Sequence, residues 1–229
     1  MTLLPQRRHS RGFTLLELVV VAGLMAGLSF FVIGTLGAAR GAALQSAQAT
    51  VANLLVAART KASASGQLAR VLVQCDARSG AAAGRFLRHL VLQEQVGGAW
   101  QTVSDVYLPD GVYVLPGNFA LPAGLLATTE TPWTRSDGAD LRSTALRSAN
   151  LTTEAIHGGV LEQWAGLPFA AAGTTNASGD IVLAAGRVRP PGSYASGESP
   201  VELTGPEQVR GLALSAYGVA TLINSRASF

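Results

Sequence analysis

The chain has 229 residues, of which 48% are apolar and 14% charged: long enough for one or two domains with a buried core, and too apolar for global disorder. Its formal charge of +3 resides in Arg7, Arg8 and Arg11; beyond residue 12 the balance is 14 basic against 14 acidic side chains, which argues against holding nucleic acid by bulk charge. A single cysteine, Cys75, excludes an intramolecular disulfide and zinc sites of four cysteines or of two cysteines and two histidines.

The first twelve residues, MTLLPQRRHSRG, are short, polar and basic, and carry no acid. From Leu18 to Ala39 the chain then runs 22 residues without a charge. A helix needs about 20 apolar residues to cross the hydrocarbon core of a bilayer, so this run is long enough to span. The flanking arginines set the leader on the cytoplasmic side by the positive-inside rule. A secretory signal peptide has a shorter apolar region, followed by its cleavage site; here the small residue that suggests processing, Gly12, precedes the run. An ordinary anchor leaves Glu17 unexplained, because a carboxylate inside an apolar helix costs on the order of a few kcal/mol unless paired.

Arg11-Gly12-Phe13-Thr14-Leu15-Leu16-Glu17 closely resembles the class III signal of type IV pilins and of the pseudopilins of type II secretion. The resemblance implies an α+β, pilin-like fold: a long N-terminal membrane-spanning helix packed on an antiparallel β-sheet domain. It implies cleavage between Gly12 and Phe13 by a prepilin peptidase, N-methylation of Phe13, and a mature chain of 217 of the 229 residues with Glu17 fifth. It further implies a structural subunit rather than an enzyme. The implied partners are the prepilin peptidase/methyltransferase, other pilin-like subunits in a filament and an inner-membrane assembly platform. The implied location is the bacterial inner membrane, single-pass, N-terminus cytoplasmic and globular domain periplasmic, and then the filament. The chemistry agrees: cleavage creates an ammonium at Phe13, and Glu17 is suited to neutralise such an ammonium on a neighbouring subunit in a low-dielectric bundle. The alternative is a glutamate that snorkels to the headgroups near the helix end.

After Arg40 the sequence keeps helix formers without proline, and Leu44, Val51, Leu54, Leu55 and Ala58 recur at spacings of three to four. Gln45, Gln48, Arg59 and Lys61 fall on other faces, and Gly66 is a C-terminal stop. The organisation read from the sequence is therefore a leader (1–12), a membrane or filament-core half-helix (13–39), an amphipathic half-helix (40–65) and a β-rich globular domain (66–229). Many major pilins carry a proline in the apolar half of the helix; this chain has Gly34 and Gly37 instead.

Strand patterns follow at 68–75, 85–96 and 100–108, the last two reading as a hairpin closed at Gly97-Gly98. Residues 108–115 make another strand. Residues 116–159 are rich in Pro, Gly, Ser and Thr and read as a long variable loop with a short helix near 140–149. Closing strands are expected at 180–183, 209–217 and 218–223, the last pair turning at Gly218, with a surface loop at 190–200. This order is similar to that of minor pseudopilins and minor pilins of the GspH/FimT type.

Few residues suggest chemistry. His89 and His157 lie far apart, Asp137, Asp140 and Glu154 match no EF-hand loop, and Cys75 has no recognisable base, so no catalytic, metal or cofactor site is expected. Gly186-Arg187-Val188-Arg189 places two arginines on one strand face, where they are spaced to grip phosphates. DNA-uptake minor pilins of the FimT type carry a similar segment, so DNA binding through Arg187 and Arg189 is the alternative reading, against a solvated strand face.

Overall fold

The computed structural model describes residues 15–77, 83–117, 119, 121–156 and 160–229, with the side chains of 26–39 outside the description. Gly12, Phe13 and His157 thus lie outside the described residues. The chain is α+β, its sheets antiparallel. It divides into two compact units, Met1–Ala39 and Arg40–Phe229. The helix α1 is Leu15–Ser65. No helix among the described residues is long and apolar enough to cross a membrane; the side chains of 26–39 make up most of the uncharged run. In the first unit, Leu15, Leu16, Leu18, Val19, Leu24 and Met25 are all exposed.

From Arg40 onward α1 belongs to the second unit. Its face at Leu44, Ala47, Val51, Leu54, Leu55, Ala58 and Ala62 is buried, each leucine contributing roughly 1.5–3 kcal/mol of transfer free energy. Gln48, read from the sequence as lying off this face, lies on it and is 2% exposed. The helix ends where Gly66 takes φ +69° and its N–H closes on Ala62 O at 3.0 Å, a left-handed cap suited to glycine.

Among the described residues ten strands follow: β1 (Ala69–Gln74), β2 (His89–Val96), β3 (Ala99–Tyr107), β4 (Val112–Val114), β5 (Leu151–Glu154), β6 (Glu162–Phe169), β7 (Gly179–Val188), β8 (Val201–Leu203), β9 (Val209–Leu214) and β10 (Ala220–Ile223). One sheet has the order β3-β2-β1-β6-β5; the other runs β10-β9-β7-β4, with β8 also paired to β7. The β2–β3 turn uses Gly97 and Gly98 at φ +60° and +85°, which only a primed two-residue turn requires. Residues 85–88, read as part of β2, form a turn instead, with Leu87 at φ +58°. The amphipathic half of α1, one face of the first sheet and residues from both faces of the second, where Val112–Val114 and Ile181–Ala184 are buried in succession, share a single core. On the other face of the first sheet, Leu72, Val91 and Trp164 form a small second cluster with Ile156.

The segment after β4 differs from the loop-with-helix expectation. No helix forms at 140–149; a 3-10 turn occupies Ser148–Asn150, followed by β5. Nor is the segment peripheral, since Leu125, Leu141, Ala145 and Leu146 are buried in the main core. Ser143, fully buried, donates its hydroxyl to Leu115 O and accepts from Val182 N at 2.9 Å, fastening the segment to β7. A side chain at Gly117 has no room: its Cβ would lie 1.7 Å from Leu146 O.

Candidate functional site

Glu17 stands in the first turn of α1, where a carboxylate also complements the positive end of the helix dipole. It is exposed, in the same stretch as the exposed leucines and valines of 15–25. An acid in an exposed apolar helical surface is the feature of the first unit with the largest consequence. A lipid or protein environment demands a cation beside such a carboxylate.

In the second unit, Arg187 is the penultimate residue of β7 and Arg189 follows the strand. Both guanidiniums are engaged within the chain. Arg187 reaches Glu202 on β8 with Nε and Nη2 at 2.7 and 2.6 Å. Arg189 is mostly buried; it contacts Glu198 at 3.3 Å and donates to Ser193 O at 2.8 Å and Ser199 O at 3.2 Å, tying together the loop 190–199. The two arginines are thus neutralised by two carboxylates. The neighbouring carboxylates oppose a phosphate at either guanidinium, more so at the mostly buried Arg189 than at Arg187, whose side chain is 72% exposed.

His89 is fully buried on β2. Its Nε2 lies 2.5 Å from Asp105 Oδ1, its ring stacks on Tyr107 at 4.4 Å, and Trp164 meets it edge-on at 5.2 Å. Cys75 is buried with its Sγ 3.5 Å from Gln163 O. Burial, and secondarily the Asp76 carboxylate, push its thiol up to about 12, so the thiolate that nucleophilic chemistry needs is scarce at neutral pH. Asp137 and Asp140 face Arg135 and Arg142 at 3.7 and 3.1 Å, and Glu154 pairs with Arg70. Among the described residues no three His, Cys, Asp or Glu side chains converge as metal ligands.

Two polar features escaped the sequence reading. Gln48 Nε2 donates to Gly211 O at 2.7 Å and to Ile223 O at 2.9 Å, and Lys61 pairs with Glu94 of β2 at 3.1 Å. Both fix α1 to the sheets: one to the β9–β10 hairpin, one to β2. A glutamine among apolar helix positions signals such an anchor only if the carbonyls it will meet are known. No family model, no curated protein and no solved structure matches the chain.

Proposed function

We propose that the protein is a structural subunit, of the minor kind, in a type IV pilus or type II secretion pseudopilus. In this reading the prepilin peptidase cuts between Gly12 and Phe13 and Phe13 is N-methylated. The helix then holds the chain in the inner membrane with the β-rich domain in the periplasm, and afterwards packs among neighbouring subunits and the assembly platform. Glu17 neutralises the terminal ammonium of a neighbour. The observation that carries the reading is the order of its parts. A basic leader ending in Gly12 precedes Phe13 and an acid at Glu17 of α1, and the far half of α1 is built into the core of an antiparallel domain. A sequence that runs 22 residues without a charge, Leu18 to Ala39, and then turns amphipathic suits a subunit passed from a membrane to a filament. The reading as a DNA-binding minor pilin has less support, since Arg187 and Arg189 are each paired with a glutamate.

The deciding experiment is mass spectrometry of the chain from cells with and without an active prepilin peptidase. The expected product begins at N-methylated Phe13 and only in peptidase-containing cells. A chain that keeps Met1 in their presence overturns the proposal.

A further inference from the structure

The strand edges of the second unit are not treated alike. An open edge offers unpaired N–H and C=O groups to another chain, and proteins ordinarily blunt it with charge, proline, bulges or short length. Along β3 the pairing is irregular at Leu92/Gln93 and Asp105 sits in the strand. β5 has four residues and carries Glu154, while β8 has three and carries Glu202. β4 also has only three residues. β10, with four residues, is as short as β5, but it lacks the chemical devices: from Gly211 to Asn224 the chain has neither a charge nor a proline. Tyr217, Val219 and Leu222 are 74%, 45% and 52% exposed there.

The register shows which groups are open. Ser215 N–H donates to Val219 O at 2.9 Å, and Thr221 pairs with Ala213 and Ile223 with Gly211. In an antiparallel ladder hydrogen-bonded and non-bonded pairs alternate. Val219, Thr221 and Ile223 therefore direct their main-chain groups toward β9, and Ala220 and Leu222 direct theirs outward. No neighbouring element among the described residues bonds to the main chain of Ala220 or Leu222.

We infer that β10 is an interface strand that pairs antiparallel with β10 of a second copy of this chain, about a two-fold axis at Thr221. That register sets Ala220 opposite Leu222 of the other copy, and the reverse, so that outward groups meet outward groups in two reciprocal pairs. A strand bearing a charge would lose hydration against Tyr217, Val219 and Leu222, whereas β10 itself brings none. The contact is isologous and closes at two copies. It is small beside a standard interface of about 800 Å² per partner, so it is weak in dilute solution and best read by trapping. The inference does not depend on the function proposed above.

The test is oxidative cross-linking of the purified full-length chain in neutral detergent. On the axis, the two Thr221 Cα atoms sit about 4.5 Å apart in a non-bonded pair, within disulfide range; the buried native Cys75 does not compete. Thr221→Cys is expected to give about tenfold more disulfide-linked dimer than Thr153→Cys, an exposed position on the edge strand β5. Leu222→Pro, which removes an outward N–H without removing a bond to β9, lowers the yield to the Thr153→Cys level. Leu222→Lys does the same by placing charge on the edge, and its exposed site leaves folding intact. Equal yields from Thr221→Cys and Thr153→Cys, or an excess that survives both Leu222 variants, overturns the inference.

Discussion

Gln48, buried in the middle of α1's packed face, donates to Gly211 and through the same nitrogen to Ile223, so that one side chain joins the helix to both strands of the terminal hairpin. Its loss leaves two buried carbonyl oxygens without this partner. Gln48→Met, which keeps the volume, is expected to destabilise the second unit by about 1–3 kcal/mol. Chemical denaturation of the full chain measures this. A change within error would mean that the two carbonyls are satisfied by their strand partners alone.

Glu94 ties the end of α1 to β2. The Ser65 hydroxyl, and then the Lys61 ammonium by hydrogen bond and charge, hold its carboxyl below the usual carboxylate range. The unfolded chain therefore takes up this proton at a higher pH than the folded one. The stabilisation is complete above the unfolded pKa and is lost as pH falls through the lower, folded one. Lys61→Met is expected to shrink the loss of stability as pH falls through and below the ordinary carboxylate range, seen as a flatter dependence of the denaturation midpoint on pH. An unchanged slope would assign the shift to Ser65 alone.

What could be read from the sequence was local. The repeat from Leu44 to Ala58, the stop at Gly66 and the Gly97-Gly98 turn each follow from a few neighbouring residues. β6 escaped because Gly166 and Pro168 interrupt it. The glycine is there because Asn150 O would lie 3.0 Å from a Cβ, and the proline sits in register opposite Arg70. The segment 116–150 escaped for a similar reason. Its buried leucines follow no period, and its fastening runs through Ser143, a residue type that by itself suggests a loop. The arginine pair at 187 and 189 was visible as a pattern, but the glutamates that occupy it come from residues 198 and 202 in a separate loop and strand.

Cys75 should be chemically silent in the folded chain. With its thiol held near 12 by burial and then by Asp76, iodoacetamide at neutral pH is expected to label it only after denaturation. Rapid labelling of the native protein would mean that the β1 end opens far more readily than its packing implies.

Arg187 and Arg189 provide the test of nucleic-acid binding. With Glu202 and Glu198 already neutralising them, the expected outcome is no retardation of duplex DNA by the full chain at low salt. Retardation that is abolished in Arg187→Ala/Arg189→Ala would transfer the proposal to the DNA-uptake reading. Retardation that persists in the double variant would locate the contact elsewhere.

Glu17 is the sharpest test of the assembly proposal, because its two readings differ in which variant rescues. If the carboxylate neutralises the terminal ammonium of a neighbouring subunit, its charge is the functional property. Glu17→Ala and Glu17→Gln should then both fail to enter filaments while the chain is still cut after Gly12. The partner ammonium would otherwise lie unpaired in a low-dielectric bundle, a cost of several kcal/mol, where only about 1.4 kcal/mol already changes occupancy tenfold. If Glu17 only meets headgroups at the membrane surface, Glu17→Gln keeps the polarity that role requires and should assemble as the unsubstituted chain does. Quantifying each variant in sheared filaments against the membrane fraction separates the two. Assembly of Glu17→Ala at the unsubstituted level would remove this residue from the mechanism, while N-terminal processing would still test the family reading independently.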